Sequence, residues 1–287
     1  MTQTKSVQRK TPIALTVLRG SLRAISTLST PCAGRLANKL WFKPQRYPEP
    51  QRERQWLDSA DWQAVPFQDH ALQTYSWGTD GPQVLLLHGW DGRGGQLGGF
   101  VKPLLEKGYR VITFDAPAHG RTGGKRTDLP TITQAIHTLA KHYGAFDSII
   151  AHSFGGLCAA NALHTGLSVN SMVFIAAPLG ATTTVERFAE ILQLKPKVVN
   201  EHRRLVEKEY GQDIWERFSM LNLTKDLAIP GLIIHDENDN DLPVSHGEEI
   251  ARSWPNCEFH QTSGLGHRRI LRNADVIERV VAFISHA

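Results

Sequence analysis

From residue 61 onwards, short apolar runs alternate with segments of helical periodicity. Val84–Leu87 is a continuous apolar run, which is typical of a strand that is covered on both faces. Similar runs recur, separated by helical segments, at 110–114, 146–151, 172–176 and 232–235. This alternation predicts an α/β fold, in which a mostly parallel sheet carries helices on both faces. Ligands of such sheets bind beyond the carboxyl ends of the strands, so motifs at those ends carry the most weight.

The first sixty residues have a different pattern, which predicts a basic helical extension followed by a linker. Residues 12–42 have helical periodicity, with a break at Pro31. One face of this predicted helix is apolar and consists of Leu15, Leu18, Leu22, Ile25 and Leu28. Residues 43–60 are rich in proline and charge, as linkers are. We therefore expect an extension with its linker over 1–60 and a sheet-containing domain over 61–287.

Charge is distributed unevenly between these two regions. Residues 1–56 contain eleven lysines or arginines and two glutamates, a balance of +9, although the whole chain has a formal net charge of +4. A basic amphipathic helix favours an anionic surface. We expect residues 1–42 either to make a peripheral membrane contact or to pack on the rest of the protein. Few aromatic residues interleave with the basic ones, so nucleic-acid binding is not expected.

Several classes of protein are not expected from this sequence. No apolar run reaches the length of about 18 residues that a membrane-spanning helix requires. The N-terminal segment does not fit a secretory signal, because arginines interrupt its apolar run and no A-x-A cleavage site follows. The three cysteines are far apart and match no zinc spacing, which predicts neither a disulfide framework nor a metal site. We expect a cytoplasmic protein, peripheral at most to the inner membrane surface, and its oligomeric state stays open.

The segment from Ala151 to Gly156 lies where a predicted strand turns into a predicted helix. In a turn of this kind, a serine such as Ser153 is strained and its hydroxyl is exposed above the sheet. The strand and the helix come close together, so the residues two before and two after the serine must be small. Ala151 and Gly155 meet this requirement. Because a small-x-Ser-x-Gly pattern is common by chance, a base and an acid elsewhere must support the interpretation.

A base for Ser153 is expected in the glycine-flanked segment Gly264–His267, just past the last predicted strand. Imidazole is the most common catalytic base, and the glycines leave the loop free to bring His267 over the sheet. A buried carboxylate after the strand Leu232–His235 would orient the imidazole and stabilise its protonated form. Three aspartates compete for this role: Asp236, Asp239 and Asp241. The order serine, aspartate, histidine along the chain is that of the hydrolase fold.

Together these motifs resemble the α/β-hydrolase superfamily over residues 61–287. The family pattern H-G-x-x-D-x-x-V-P aligns with His235, Asp239 and Pro243, with Asp236 in place of the glycine. The resemblance implies Asp239 as the acid, with Asp241 as the remaining alternative.

Residues 114–122 resemble the family loop D-x-P-G-H-G-x-S, with Ala118 and Thr122 as departures. That loop is structural in the family. The resemblance therefore implies that Asp115 and His119 belong to the scaffold rather than to the chemistry.

The resemblance also implies an oxyanion hole in the loop that follows the first buried strand. Its donors would be the backbone N–H groups of Trp90 and Phe154. Removing one such donor typically costs about a hundred- to a thousandfold in rate. His88, Gly89 and His152 flank these amides in the sequence and are expected to contact the substrate.

The predicted function is hydrolysis of a small-molecule carboxylic ester through an acyl-enzyme on Ser153, with His267 as general base. No cofactor and no metal are expected. An insertion over about 179–228 is expected to form a helical cap, which in this family shapes the substrate pocket and excludes water. A thioesterase or an acyltransferase would use the same triad. A non-catalytic binding protein is the alternative from another class, because fold does not imply function.

Overall fold

The computed structural model describes residues 13–286, and its central feature is a single sheet of eight strands within that range. The strands are β1 Asp61–Phe67, β2 His70–Trp77, β3 Gln83–Leu87, β4 Arg110–Phe114, β5 Ser148–His152, β6 Ser171–Ile175, β7 Gly231–Asp236 and β8 Cys257–Thr262. Their order across the sheet is β1-β2-β4-β3-β5-β6-β7-β8. β2 is antiparallel to both of its neighbours, whereas the strands from β4 to β8 pair in parallel. The predicted mostly parallel sheet is therefore confirmed.

Thirteen α-helices lie among the described residues. They are α1 Ile13–Leu28, α2 Thr30–Trp41, α3 Gln51–Leu57, α4 Val101–Glu106, α5 Leu129–Tyr143, α6 Phe154–His164, α7 Ala181–Leu192, α8 Pro196–Tyr210, α9 Ile214–Arg217, α10 Met220–Thr224, α11 Val244–Ser253, α12 Gly266–Arg269 and α13 Ala274–Ile284. Short 3₁₀ segments cover Gly94–Phe100 and Ile270–Arg272. The helices α7 to α10 occupy the chain between β6 and β7, so the expected helical insertion is present.

The apolar runs that predicted the strands form the core of the sheet. Residues Val84–Leu87 of β3 are fully buried, and every residue of β5 and β6 is buried. Helix α13 covers one face with an amphipathic stripe of buried residues, which are Val276, Val280, Val281 and Ile284. The last strand, β8, lies at the sheet edge and is only partly buried, which agrees with its more polar sequence.

The chain forms two compact units. One, which we call the sheet unit, comprises Phe42–Thr184 and the chain from Ile214 onwards. The other, which we call the helical unit, comprises the residues up to Trp41 together with Val185–Asp213. The N-terminal helices thus share a unit with the inserted helix α8. This pairing of distant segments was not predicted from the sequence.

Helix α2 is the centre of the helical unit, because it packs on both α1 and α8. Small residues allow this approach: Ala33 and Ala37 are fully buried, and a Cβ at Gly34 would collide with Glu201 of α8. The break between α1 and α2 falls at Ser29, two residues before the Pro31 position that the sequence predicts. Pro31 instead lies in the first turn of α2, where a missing N–H costs nothing.

Residues 43–60, predicted to be a linker, are packed within the sheet unit and include helix α3. Glu53 of α3 and Arg93 are both buried and form an ion pair with a Nε–Oε2 distance of 2.6 Å. Arg46 donates to the carbonyl oxygens of Ala118, Thr122 and Gly124. These long-range polar contacts anchor the segment, and sequence composition alone did not reveal them.

None of the helices within residues 13–286 has the length and apolar character needed to cross a membrane.

Candidate active site

Ser153 lies between β5 and α6 in a backbone conformation that side chains rarely adopt, with φ 53° and ψ −128°. Such strain costs about 1–3 kcal/mol and persists only where the surroundings impose it. Here the Ser153 N–H donates to the Ile175 carbonyl at 2.9 Å, which ties the turn to β6. The expected strand–turn–helix is present, and the serine sits at the carboxyl end of a central parallel strand.

Close backbone packing explains the small residues around this serine. A Cβ at Gly155 would meet the carbonyl oxygens of Leu87 and His88, so no larger residue fits there. Gly89, on the neighbouring loop, lies against the serine, because its Cβ would be 2.8 Å from the Ser153 Cβ. The loop after β3 and the turn after β5 thus meet at the Ser153 side chain.

The structure brings Ser153, His267 and Asp239 together in one hydrogen-bonded chain. His267 Nε2 is 3.0 Å from Ser153 Oγ, and His267 Nδ1 is 2.7 Å from Asp239 Oδ2. Because an ionised carboxylate only accepts hydrogen bonds, Nδ1 carries the proton and Nε2 is left to accept from the serine hydroxyl. This is the geometry of a nucleophile, a base and an orienting acid.

Asp239 is fully buried but remains a good hydrogen-bond acceptor. Its Oδ1 accepts from the amides of Asp241 and Leu242, at 2.7 and 3.0 Å. His235 Nε2 lies 3.6 Å from Oδ2, which is beyond hydrogen-bond length but close enough for electrostatic stabilisation. Burial alone would raise the pKa of Asp239, but these neighbours and His267 hold it well below its usual range. The Asp239 carboxylate is therefore negatively charged when it accepts the hydrogen bond from His267.

Asp236, one of the competing aspartates, has a different place. Its buried carboxylate accepts four hydrogen bonds, from the amides of Asn238, Leu265 and Gly266 and from the Thr262 hydroxyl, at 2.8–3.0 Å. Burial opposes its charge, but these donors outweigh burial and lower the pKa of Asp236. Two of the four donors belong to the residues just before His267, so Asp236 holds the histidine loop. The sequence signal was this aspartate at a position where the family pattern has glycine.

Asp241, the other competitor, contributes its amide to Asp239 rather than a carboxylate to the histidine ring. Asp239, Asp241 and His267 do each offer one possible metal-ligand atom, all within 4.8 Å of one another. A metal there would compete with the hydrogen bonds of His267 to Ser153 and Asp239. The ligand set therefore fits the hydrogen-bonded chain better than a metal centre.

His152 lies directly beneath the His267 loop. Its Nε2–H donates to the His267 carbonyl at 2.9 Å, and the two rings are 4.7 Å apart. Burial, reinforced by the neighbouring His267 ring, keeps the pKa of His152 well below its usual range, so the ring is neutral. We expected His152 to contact the substrate, but its only ring hydrogen bond among residues 13–286 supports the loop instead.

The amides of Trp90 and Phe154, the two expected oxyanion donors, have no hydrogen-bond partner within the described part of the chain. Phe154 is the first residue of α6, where N–H groups have no intrahelical acceptor and the helix dipole favours negative charge. The Trp90 and Phe154 rings pack edge to face, with centroids 5.3 Å apart. This contact places the two loops side by side and leaves two donors free for a ligand.

His88, which we expected to contact the substrate, is buried and hydrogen-bonded through both ring nitrogens. Its Nδ1–H donates to the Gly89 carbonyl at 2.7 Å, and its Nε2 accepts from the Ala116 amide at 3.0 Å. Burial lowers the pKa of His88 to about 4. With both nitrogens used and the ring buried, His88 has no polar atom left for a ligand, and it shapes the loop instead.

Asp115 and His119 have scaffold roles, as expected. The buried Asp115 carboxylate accepts from the Tyr75 hydroxyl and from the amides of Gly94 and Arg121. His119 accepts from the Asp91 amide and packs edge to face on Trp90. Both residues therefore fix the loops that border the site, without facing Ser153.

The comparisons with known proteins agree with this architecture. A non-heme haloperoxidase of Rhodococcus erythropolis is 24% identical over 249 residues, which cover 70% of this chain and 90% of the relative. The structure of an esterase from Pyrococcus furiosus superposes with a TM-score of 0.63 at 21% identity, covering 85% of this chain and 96% of that one. A thioesterase domain from the curacin biosynthetic pathway superposes with a TM-score of 0.60 at 15% identity, covering 80% and 100%.

Likenesses at these identities show the fold. The model of the alpha/beta hydrolase family matches residues 84–280, well over half of the chain and the whole stretch from β3 to α13 that carries Ser153, Asp239 and His267. The chain therefore belongs to the alpha/beta hydrolase family.

Proposed function

We propose that this protein is a serine hydrolase that cleaves a small-molecule carboxylic ester through an acyl-enzyme on Ser153. The observation that carries the proposal is the chain of hydrogen bonds from Asp239 through His267 to Ser153, at 2.7 and 3.0 Å. Two amides without partners, those of Trp90 and Phe154, lie on the loops beside the serine. A nucleophile, a base, an acid and an anion-binding element are thus present in one place.

Each residue has a defined role in the reaction. His267 Nε2 takes the proton of the Ser153 hydroxyl as Oγ attacks the ester carbonyl. The amides of Trp90 and Phe154 stabilise the negative charge that develops on the carbonyl oxygen. His267 then donates its proton to the departing alcohol, and Asp239 stabilises the imidazolium in between. Water, deprotonated by the same Nε2, releases the acid and restores the serine.

The same machinery accepts a thioester, or transfers the acyl group to an acceptor other than water. A structural neighbour is a thioesterase domain, which makes the thioester the first alternative substrate to examine. The haloperoxidase relative shares the family but not enough sequence to transfer its activity. A non-catalytic binding role is the alternative of a different class, and it predicts an unreactive Ser153.

A fluorophosphonate probe tests the central claim, because it phosphonylates only an activated serine: Oγ bonds to phosphorus and fluoride leaves. The wild-type protein should be labelled, and Ser153→Ala should abolish labelling. Ser263→Ala is the matched control, because Ser263 hydrogen-bonds Glu237 and lies outside the proposed triad. A folded wild-type protein that stays unlabelled would show that the site does not activate its serine, and the binding role would then replace hydrolysis.

The acyl and alcohol groups are addressed by a second experiment. Initial rates on a panel of acetyl to octanoyl esters, and on thioesters with the same acyl chains, give kcat/KM for each. Each methylene that becomes buried is worth about 0.8 kcal/mol, so a preference for one chain length reports the depth of an apolar pocket. Faster turnover of every thioester than of its matched ester would move the assignment to thioesterase.

A further inference from the structure

Helix α1 has an unusual surface. The three most exposed large apolar side chains of the described protein all lie on this one helix: Leu28 at 89%, Ile13 at 83% and Val17 at 62%. Single exposed aliphatic residues are common on protein surfaces and need no explanation. Three such side chains on one helix of sixteen residues form a continuous apolar surface, and an apolar surface of this kind indicates an interaction site.

These residues follow one face of α1. Ile13, Val17, Gly20, Ala24 and Leu28 are all exposed and recur at steps of four or three residues, the spacing of one helical face. We call them the α1 stripe. The opposite face carries the buried Leu22 and packs within the helical unit. At Gly20 an added Cβ would meet nothing within 4 Å, so the stripe is open along its length.

The exposed face of α1 differs from the apolar face that was predicted from the sequence. The face of Leu15, Leu18, Leu22 and Ile25, expected either to contact a membrane or to pack on the rest of the protein, is buried or partly buried. Leu28 was assigned to that face but belongs to the exposed stripe. The face that remains available for a partner is therefore the other one.

The surrounding charge has a single sign. From residue 13 to residue 41, the part of the helical unit that contains the stripe, the chain carries four basic residues and no acidic one; the basic residues are Arg19, Arg23, Arg35 and Lys39. Three more basic residues precede this stretch in the sequence, and the first acidic residue of the chain is Glu49. Residues 185–213 of the same unit carry six basic and six acidic residues and do not cancel this excess.

We propose that the α1 stripe docks the protein on an anionic lipid surface. An apolar stripe bordered by basic residues is the pattern of a helix that lies in the membrane interface, with aliphatic groups at the acyl boundary. Basic residues near an anionic leaflet add electrostatic attraction. Charge also argues against a second copy of this chain as the occupant, because a symmetric pairing through the stripe would place two wholly basic segments together.

The test is co-sedimentation of the full chain with vesicles of phosphatidylcholine alone or mixed with phosphatidylserine. Val17→Gln and Leu28→Gln should each weaken binding to the mixed vesicles about fivefold to tenfold, because each removes an aliphatic side chain from the interface. Gly20→Leu should tighten binding, since it fills an open position in the stripe without a clash. Leu105→Gln, at an exposed aliphatic residue of α4 rather than α1, is the matched control and should bind like wild type.

Circular dichroism and thermal unfolding of each variant confirm that the fold is retained, and these readouts do not depend on hydrolase activity. Binding to the mixed vesicles should also fall steeply as salt is raised. Equal binding of Val17→Gln, Gly20→Leu and wild type would overturn the proposal, as would the absence of wild-type binding or equal binding to uncharged vesicles. A change from dimer to monomer in Val17→Gln without lipid would identify a second copy as the occupant and also overturn it.

Discussion

The carboxyl end of the sheet, where Ser153 lies, and the exposed face of α1 differ in the kind of chemical group that is left without a bonding or packing partner. At the carboxyl end of the sheet, Asp236 accepts four hydrogen bonds, and both ring nitrogens of His88 are hydrogen-bonded. The groups left open there are two backbone donors, at Trp90 and Phe154. On α1 the open groups are aliphatic side chains. The open groups near Ser153 are therefore hydrogen-bond donors, whereas those on α1 are apolar, and the two proposals above rest on this difference.

The largest expected effect is a loss of ester turnover when Asp239 of the sheet unit is replaced. Asp239→Asn should lower the turnover of an ester substrate by about ten thousandfold, because His267 then loses the acceptor that sets its tautomer. Asp241→Asn is the matched control and should have a far smaller effect, since it keeps the backbone amide that Asp241 donates to Asp239 and leaves the His267–Asp239 hydrogen bond in place. Steady-state kinetics of both variants decide the matter, and equal losses would contradict the assignment of Asp239.

Buried neutral histidines in the sheet unit should make stability depend on pH. Burial lowers the pKa of His88 to about 4 and that of His119 to about 3, below the value of about 6.5 in an unfolded chain. Between these values the unfolded state binds more protons, so stability is full above pH 6.5 and falls as the pH drops towards 4. Each histidine should account for about 3 kcal/mol across this window.

Denaturant unfolding at several pH values measures this slope. His88→Gln keeps an acceptor for the Ala116 amide but cannot take up a proton, so its stability should depend less on pH than that of wild type. An unchanged slope in this variant would show that His88 does not contribute to the pH dependence.

Asp236 should affect the rate without affecting substrate binding. Asp236→Asn leaves the amide of Leu265 or that of Gly266 facing a donor, which should loosen the His267 loop. Misplacement of a catalytic group by about 1 Å can cost about a hundredfold, so we expect kcat to fall about ten- to a hundredfold. KM should change little, and Glu237→Gln, at the adjacent exposed carboxylate, should be close to wild type. A rise in KM with kcat unchanged would assign Asp236 to substrate binding instead.

The smallest expected effects are changes in the free energy of unfolding at two glycines of the helical unit. Gly34→Ala should destabilise the protein by about 1–3 kcal/mol, because the new Cβ collides with Glu201. Gly20→Ala should stabilise it by about 0.5–1 kcal/mol, since the position is open and alanine favours helix. Chemical denaturation gives both values, and labelling of Ser153 should be unchanged in each. Equal effects of the two substitutions would contradict close packing of α2 on α8.

Local pattern was sufficient for the fold and for the elements that carry the site. Continuous apolar runs such as Val84–Leu87 can only be buried when both faces are covered, and this requirement alone predicts the sheet. The order of motifs along the chain then places Ser153 and His267 beyond the ends of parallel strands. These predictions held because each depends on residues that are neighbours in sequence.

Tertiary structure decided what depends on distant contacts. Three aspartates lie within six residues, and the resemblance to the family pattern implied Asp239 without showing what the other two do. The path of the loop brings Asp239 to His267 and turns Asp236 towards the amides before it. Similarly, the periodicity of α1 identifies one apolar face without telling which part of the molecule covers it. The answer came from α2, which approaches α8 more than 150 residues further along the chain through Gly34. Sequence spacing records which side chains share a face, whereas the partner of that face is set by packing across the whole chain.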